Sequence, residues 1–391
     1  MSEIQITTEK KQFVPGVCML IGSSKRFWRV LKYDKAANTA LVIADRPIPG
    51  LPLNSDLRLI TWHDCTLRDW LNNNFLNTEF TESEAEAIIP SNVSTANNPR
   101  YGTKGGEDCV DKIFIPDIDE AESLFSSDED RASPYTWWLR SPGRGNRFFA
   151  CVDHYGTVRT IGNSIDSIAY SVRPAMRINL GSEVFSKSLT RDADGAVIEV
   201  DEPQLLIEGD KLTVSRMDLE NVIIPTDVKE ISEDCFNSCL KLRTVRFEGT
   251  VEKIDESAFK NCRNISEVDI HQETFERLPF RVKDCLINKE TIGAYLDGLT
   301  EMGKNTKLAV ISMLNTPGYT ERIILDLISK DNSVALGRLL DALNEPLSAD
   351  DIERYSELAD STAEVKLLFM DYRNNCRKKA TSNGNEFELE W

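Results

Sequence analysis

The chain reads as an α+β N-terminal domain followed by a short repeat solenoid and an α-helical C-terminal region. Three observations lead there. Short apolar runs separated by polar turns dominate the first half. An apolar pattern recurs between Ile231 and Val268 with a period of about 23 residues. From Asn288 onward the apolar residues fall at helical spacing. At 391 residues the chain exceeds one ordinary core and should divide into two or three domains.

The elements follow in order. Phe13-Val-Pro-Gly-Val-Cys-Met-Leu-Ile-Gly, Phe27-Trp-Arg-Val-Leu-Lys-Tyr and Ala40-Leu-Val-Ile-Ala predict short paired strands. Thr66 is placed as the cap of a helix whose one face carries Leu67, Trp70, Leu71 and Phe75. Thr81-Glu-Ser-Glu is a capping box ahead of Ala85, Ile88 and Ile89. Ser91–Asp108 and Ser126–Ser133 are polar surface loops. Between them Lys112-Ile-Phe-Ile-Pro is a strand leading into an acidic helix start at Asp117 to Leu124. Residues 12–180 thus form one α+β unit.

Residues 181–204, charged and small with little periodicity, are expected as a linker. In 205–282, Ile231, Phe236, Cys239, Leu242 and Val245 recur as Ile254, Phe259, Cys262, Ile265 and Val268. Residues 288–377 form a helical array with five apolar stripes: Leu308, Ile311 and Leu314; Ile323, Ile324, Leu327 and Ile328; Leu336, Leu339, Leu340 and Leu343; Ile352, Tyr355 and Leu358; Val365, Leu368, Phe369 and Tyr372. Turns are placed at Pro317-Gly318 and Pro346. Residues 378–391 are expected as a loose tail in which Phe387, Leu389 and Trp391 could act as a short tether.

A net charge of −18 argues against polyanionic partners, since nucleic-acid binding needs a concentrated basic patch. No stretch is apolar enough to cross a bilayer, and the first residues lack the pattern of a secretory signal. Nine cysteines at irregular distances do not make a compact disulfide framework. A cytoplasmic setting is expected, with non-classical export or phage association left open.

The most informative stretch runs from Trp137-Trp-Leu-Arg-Ser-Pro-Gly to Val172-Arg-Pro-Ala. Its interior is rich in Tyr, Asn, Asp, Ser, Gly, Arg and Phe, the palette of recognition loops: rigid aromatic area plus adaptable hydrogen bonding. From Leu139 to Ala175 it holds no Lys, Glu, Gln, Met or Trp. A turn-rich β segment that disfavours long helix formers is the plainer account of that gap.

The ordered boxes Phe27-Trp-Arg-Val-Leu, Thr66-Leu-Arg-Asp-Trp-Leu-Asn, Phe80-Thr-Glu-Ser-Glu, Asp111-Lys-Ile-Phe, Trp137-Trp-Leu-Arg-Ser-Pro-Gly and Val172-Arg-Pro-Ala resemble a bacterial and phage domain of unassigned function. That domain is related to the C-type-lectin-like fold of formylglycine-generating enzymes and of diversity-generating retroelement variable proteins. The resemblance implies that randomised template adenines could have left the missing residue types. It also implies which positions vary. Ala150, Val152 and Val158 would pack inward, Phe148 fits either face, and Arg144, Asn146, Arg147, Phe149, Cys151, Asp153, His154, Tyr155, Arg159, Asn163, Asp166 and Tyr170 would face a ligand. Trp137, Trp138, Arg140, Arg173 and Pro174 would hold the scaffold. One departure is placement, because such segments often close the chain and here more than half the protein follows. The repeat in 205–282 resembles the BspA-type leucine-rich repeat, with Val222-Ile-Ile-Pro, Val245-Arg-Phe and Val268-Asp-Ile as strands; equivalent repeat positions make Cys239 and Cys262 core thiols rather than zinc ligands.

Little points to catalysis. His63, His154 and His271 lack metal-ligand spacing, and Gly143-Arg-Gly lacks the context of a phosphate loop. Formylglycine-generating enzymes need a cysteine pair, and only Cys151 lies in the relevant segment. Asp153 and Asp166 near Asn163 invite calcium, which needs six to eight oxygens and a charge-dense loop that the local arginines oppose. The expectation is therefore a non-enzymatic protein without metal or cofactor. It would bind a protein or glycan ligand through residues 144–170, and other proteins through the repeats and helices. The competing expectation is an adaptor that binds through its repeats and C-terminal helices alone, and a more distant one an oxidase-like enzyme on the same fold.

Overall fold

The computed structural model describes residues 4–298, 302–316, 318–358 and 362–382, with side chains at 289, 290 and 377–382 left aside. The chain forms two compact units. The first comprises Met1–Leu219, Glu230–Lys241 and Ser257–Cys262, the second Glu220–Lys229, Leu242–Glu256 and Arg263–Trp391. The architecture is mixed α+β with a helical C-terminal region. No described helix is long and apolar enough to cross a membrane.

In the first unit, one antiparallel sheet runs in the order Cys18–Ile21, Arg26–Asp34, Thr39–Ala44, Ala175–Asn179 and Ile88–Ile89, with Ile113–Phe114 also pairing Ala175–Asn179. Its strands are nearly continuous apolar runs because both faces are covered; Trp28, Val30, Val42 and Ile43 are fully buried. A second sheet has the order Val158–Ser164, Phe148–Val152, Trp137–Pro142, Ser171–Val172 and Ile48–Pro49, with one parallel step between Trp137–Pro142 and Ser171–Val172. Trp62, Trp137, Trp138 and Phe149 share the core of this unit.

Capping signals place the short helices. Thr81 and Glu84 close a reciprocal box on Glu82–Ala87, and Asp117 and Glu120 do the same for Ile118–Ser123. Thr66 is not the cap expected of it: it is the first helical residue, and the Cys65 thiol accepts the Arg68 amide at 3.4 Å. The Thr66 hydroxyl instead accepts the Ser55 amide. Leu67, Leu71 and Phe75 are buried as one face, and the helix passes through a π turn at Leu71–Phe75.

The stretch 181–204, expected as a linker, holds a 3-10 turn at Glu183–Phe185 and two β-strands. Leu189–Arg191 and Val197–Glu208 pair with each other, and Ile4–Gln12 pairs with Glu199–Glu208 of the latter. The register slips between Thr7 and Thr8, opposite Pro203, and such a bulge is where a sheet tolerates a proline. That break scrambles the alternation of buried and exposed residues, so period-two reading fails there. The unit also begins before residue 12, with Ile4–Gln12. Residues 205–208, placed in the repeats, instead belong to Val197–Glu208, which pairs antiparallel with Lys211–Ser215.

In the second unit Asn221–Ile224, Thr244–Phe247 and Glu267–Asp269 form a parallel ladder in which Val222, Val245 and Val268 align in register. In the first unit the matching turns stack Phe236 on Phe259 at 4.8 Å, and the Cys262 thiol donates to the Phe236 carbonyl at 2.9 Å. Cys239 and Cys262 are buried.

Helices begin at Gln272–Arg277, ahead of the expected start at 288, and continue to Ala363–Ser382, past the expected tail start at 378. Phe387, Leu389 and Trp391 lie outside the described residues. Ile323, Ile324, Leu327 and Ile328 are buried as one stripe, as are Leu336, Leu339 and Leu340, Ile352 and Tyr355, and Val365 and Phe369. Leu343, Leu358, Leu368 and Tyr372 are half-buried. In Lys304–Leu314 the buried face is Thr306, Ala309, Val310, Met313 and Leu314 rather than Leu308, Ile311 and Leu314. Thr306 turns that face by donating its hydroxyl to the Val268 carbonyl at 2.9 Å.

Candidate functional site

The display segment folds as the hairpin Phe148–Val152 and Val158–Ser164 with flanking loops. Asp153 makes the hairpin turn. Its Oδ1 accepts the amides of Tyr155 and Thr157, both at 3.0 Å, and Gly156 follows at φ +87°. A Cβ at Gly156 would stand 1.7 Å from the Asp128 carbonyl oxygen, so only glycine fits this approach. Burial raises the Asp153 carboxyl, but the Thr157 amide, the Arg159 guanidinium and the Tyr155 amide together hold it below the usual carboxylate range.

The predicted site residues divide. Arg144, Arg147, His154, Tyr155, Arg159 and Asp166 are exposed, and Asn146, Asn163 and Tyr170 are half-buried. Phe149, Cys151 and Asp153, expected to face a ligand, are buried. The reason is that Phe148–Val152 is an inner strand, paired on both edges and covered on both faces, so alternation does not separate core from surface. Ala150 and Val152 are buried as expected of inward residues, whereas Val158 is only partly so, and Phe148 is half-buried with Arg144 over its ring at 4.2 Å. Tyr170 packs on Trp138 at 4.5 Å.

Trp137, Trp138, Arg140, Arg173 and Pro174 are all buried. Trp137 Nε1 donates to the Arg131 carbonyl at 3.2 Å, and Trp138 Nε1 to that of Leu51 at 3.1 Å. Arg140 gathers the carbonyls of Ser94 and Ile115 and the carboxylates of Asp117 and Glu120. Arg173 sits between the rings of Trp137 and Phe125, at 5.2 and 5.4 Å, and donates to the Ala44 carbonyl at 3.0 Å. Burial, then the neighbouring Arg29, lowers its pKa to about 10.

Three asparagines tie separate loops to this segment. Asn98 Nδ2 donates to the carbonyls of Pro142 and Thr160 at 2.7 and 2.9 Å, while its Oδ1 accepts the amides of Arg100 and Tyr101. Asn146 Nδ2 donates to the carbonyls of Ile60 and Lys104 at 3.0 and 3.2 Å. The Asn54 amide donates to the Ile165 carbonyl at 2.9 Å. Residues 54–60 and 98–104 are therefore part of the same loop cluster. Sequence reasoning missed them, because these contacts join positions 40 to more than 110 residues apart and leave no local pattern.

The chemistry on offer is limited. Burial pushes the Cys151 thiol up to about 11, so it stays protonated at neutral pH, and Asn163 Nδ2 donates to it at 3.3 Å. The Asp153 and Asp166 carboxylates are engaged by Arg159 and Ser164, respectively. Cys18, Asp45 and Asp218 bring three potential metal-ligand atoms within 4.8 Å of one another. Arg29 already pairs with Asp45 at 2.6 Å, and Arg216 with Asp218 at 2.8 Å. Burial, then Asp45, drives the Cys18 thiol well above its ordinary value. Two guanidinium charges and a neutral thiol suit an internal ion network better than a cation.

Residues 38–180 match the family model described as Domain of unknown function (DUF6273), and residues 211–285 match that of the BspA type Leucine rich repeat region (6 copies). No curated protein and no solved structure matches the chain.

Proposed function

From a chain that carries a DUF6273 domain followed by BspA-type leucine-rich repeats, we propose a non-catalytic binding protein that presents residues 144–170 to a macromolecular ligand from a C-type-lectin-like scaffold. The supporting observation is the contrast between exposed Arg144, Arg147, His154, Tyr155 and Arg159 and the buried scaffold of Trp137, Trp138, Arg140 and Arg173 that flanks them in sequence. Tyr155 would anchor the contact and exclude water, and the arginines would fix orientation. The repeats suggest protein interaction of their own. An adaptor role carried by the repeats and helices is the second reading.

In this proposal the segment is of the kind diversified by retroelements, and the fold narrows where variation can fall. Sequencing the gene across isolates should find substitutions concentrated at Arg144, Arg147, His154, Tyr155, Arg159 and Asp166, and spare the buried Phe149, Cys151 and Asp153. A segment as uniform as the repeats would exclude diversification. Exchange of the segment between such variants should change the target and keep the melting temperature; loss of folding would refute the display reading.

A further inference from the structure

The loop cluster reaches beyond the hairpin. The Asn54 amide bonds Ile165 and the Ile60 amide bonds the Asn146 carbonyl at 3.0 Å, so residues 55–59 are pinned at both ends to the display segment. Between the pins stand aliphatic side chains left out of the core: Leu57 is 49% and Leu59 71% exposed. On the display segment itself Ile161 is 45% and Ile168 71% exposed. Single exposed leucines need no explanation, but aliphatic residues gathered on adjoining loops do.

Cations share these loops. Arg100, Lys104, Arg144 and Arg147 lie on the same loops, and among the described residues no carboxylate forms an ion pair with any of these. Arg144 rests over Phe148, and Arg100 stands 5.5 Å from the Tyr101 ring. Arg58 pairs with the exposed Asp56 at 3.7 Å and donates to the Asp64 carbonyl at 3.5 Å. With Arg58, Arg100, Lys104, Arg144, Arg147 and Arg159 against Asp56, Asp153 and Asp166, residues 55–59, 98–104 and 144–170 carry a net charge of +3 on a chain of −18. That charge draws acidic partners and repels basic ones.

We propose that residues 55–59, 98–104 and 144–170 form one docking surface for an acidic protein segment carrying apolar side chains between its carboxylates. The inference rests on the binding role proposed above and names the partner's chemistry. Leu57, Leu59 and Ile168 would cover the partner's apolar side chains, and the arginines its carboxylates. A nucleic acid or a glycan offers few apolar groups to cover this aliphatic area.

The test titrates the full chain with short labelled peptides in which glutamate alternates with leucine or phenylalanine, beside glutamate–serine and lysine–leucine controls, an oligothymidylate and heparin. The acidic apolar peptides should bind at least about tenfold more tightly than any control, and weaken as salt rises from about 0.05 to about 0.3 M. Leu57→Ser combined with Leu59→Ser, and separately Arg147→Glu, should each lower their affinity about tenfold with an unchanged melting temperature. Failure of these peptides to bind, or preference for the serine peptides, oligothymidylate or heparin, overturns the proposed partner. If Arg147→Glu and Tyr155→Ala weaken binding but the double leucine variant does not, the wider surface is wrong and the display segment stands. If none of these variants weakens binding, both readings fall.

Discussion

Asp45 is fully buried between Arg29 and the backbone amide of Met217, which donates to its Oδ2 at 2.8 Å. Burial alone would raise its pKa, but Arg29, the Met217 amide, Arg173 and Arg46 outweigh that and hold it below the ordinary carboxylate value. A depressed folded-state pKa contributes stability that is present above the unfolded value of about 4 and is lost as the pH falls through the lower, folded value. Asp45→Asn should therefore destabilise the protein by about 3–5 kcal/mol at neutral pH, because it removes the close carboxylate partner of buried Arg29 and leaves Asp218 at 3.9 Å. It should also flatten the loss of stability below about pH 4, and urea melts across pH would show both. At this scale sequence was a poor guide. Asp153 reads as a ligand contact in a polar run, and only the turn it caps, with Gly156 at positive φ, identifies it as structural. Asp-x-x-Gly was the available signal, since aspartate caps such turns and glycine completes them.

The strand Phe148–Val152 carries the clearest element-scale lesson. The family resemblance assigned Phe149 and Cys151 to a ligand face, yet both are core, since the strand is paired on both edges and covered on both sides. Phe149→Ala should cost about 3–5 kcal/mol in chemical melts, the range for a buried phenylalanine. Tyr155→Ala, at an exposed turn, should cost less than about 1 kcal/mol. Equal costs would mean that the hairpin is not arranged as described. Elsewhere local chemistry was legible: the boxes at Thr81 and Asp117 start helices where expected, and Ile323, Ile324, Leu327 and Ile328 are a buried helical face. Lys304–Leu314 is rotated from expectation because buried Thr306 finds a carbonyl partner, which an apolarity pattern cannot register.

Across the whole molecule, the first unit does not stop at residue 180. Glu202 accepts the Cys18 amide at 2.8 Å and Met217 donates to Asp45. The Arg46 guanidinium donates to the carbonyls of Ser215, Asp234 and Cys235, the last two in a repeat turn of the same unit. A fragment ending at residue 180 would leave Arg46 and Asp45 without these partners and Ile4–Gln12 without its sheet. It should melt at least about 10 °C below a fragment ending at residue 262, as several kcal/mol of lost interactions would require for a domain of this size. Similar melting temperatures, read by calorimetry, would place the boundary at 180.

By itself the sequence determined the mixed α+β class, the helical C-terminal region and the repeat ladder, whose valines align at Val222, Val245 and Val268. Those features are written in local periodicity, and periodicity follows from the geometry of each element. Only the tertiary structure decided that 189–191 and 197–204 are sheet, that Phe149, Cys151 and Asp153 are interior, and that residues 54–60 and 98–104 join the display segment. Each of those depends on what covers or pairs a residue in the fold, and the partners of 54–60 and 98–104, more than 40 positions away, leave no periodic mark where they land.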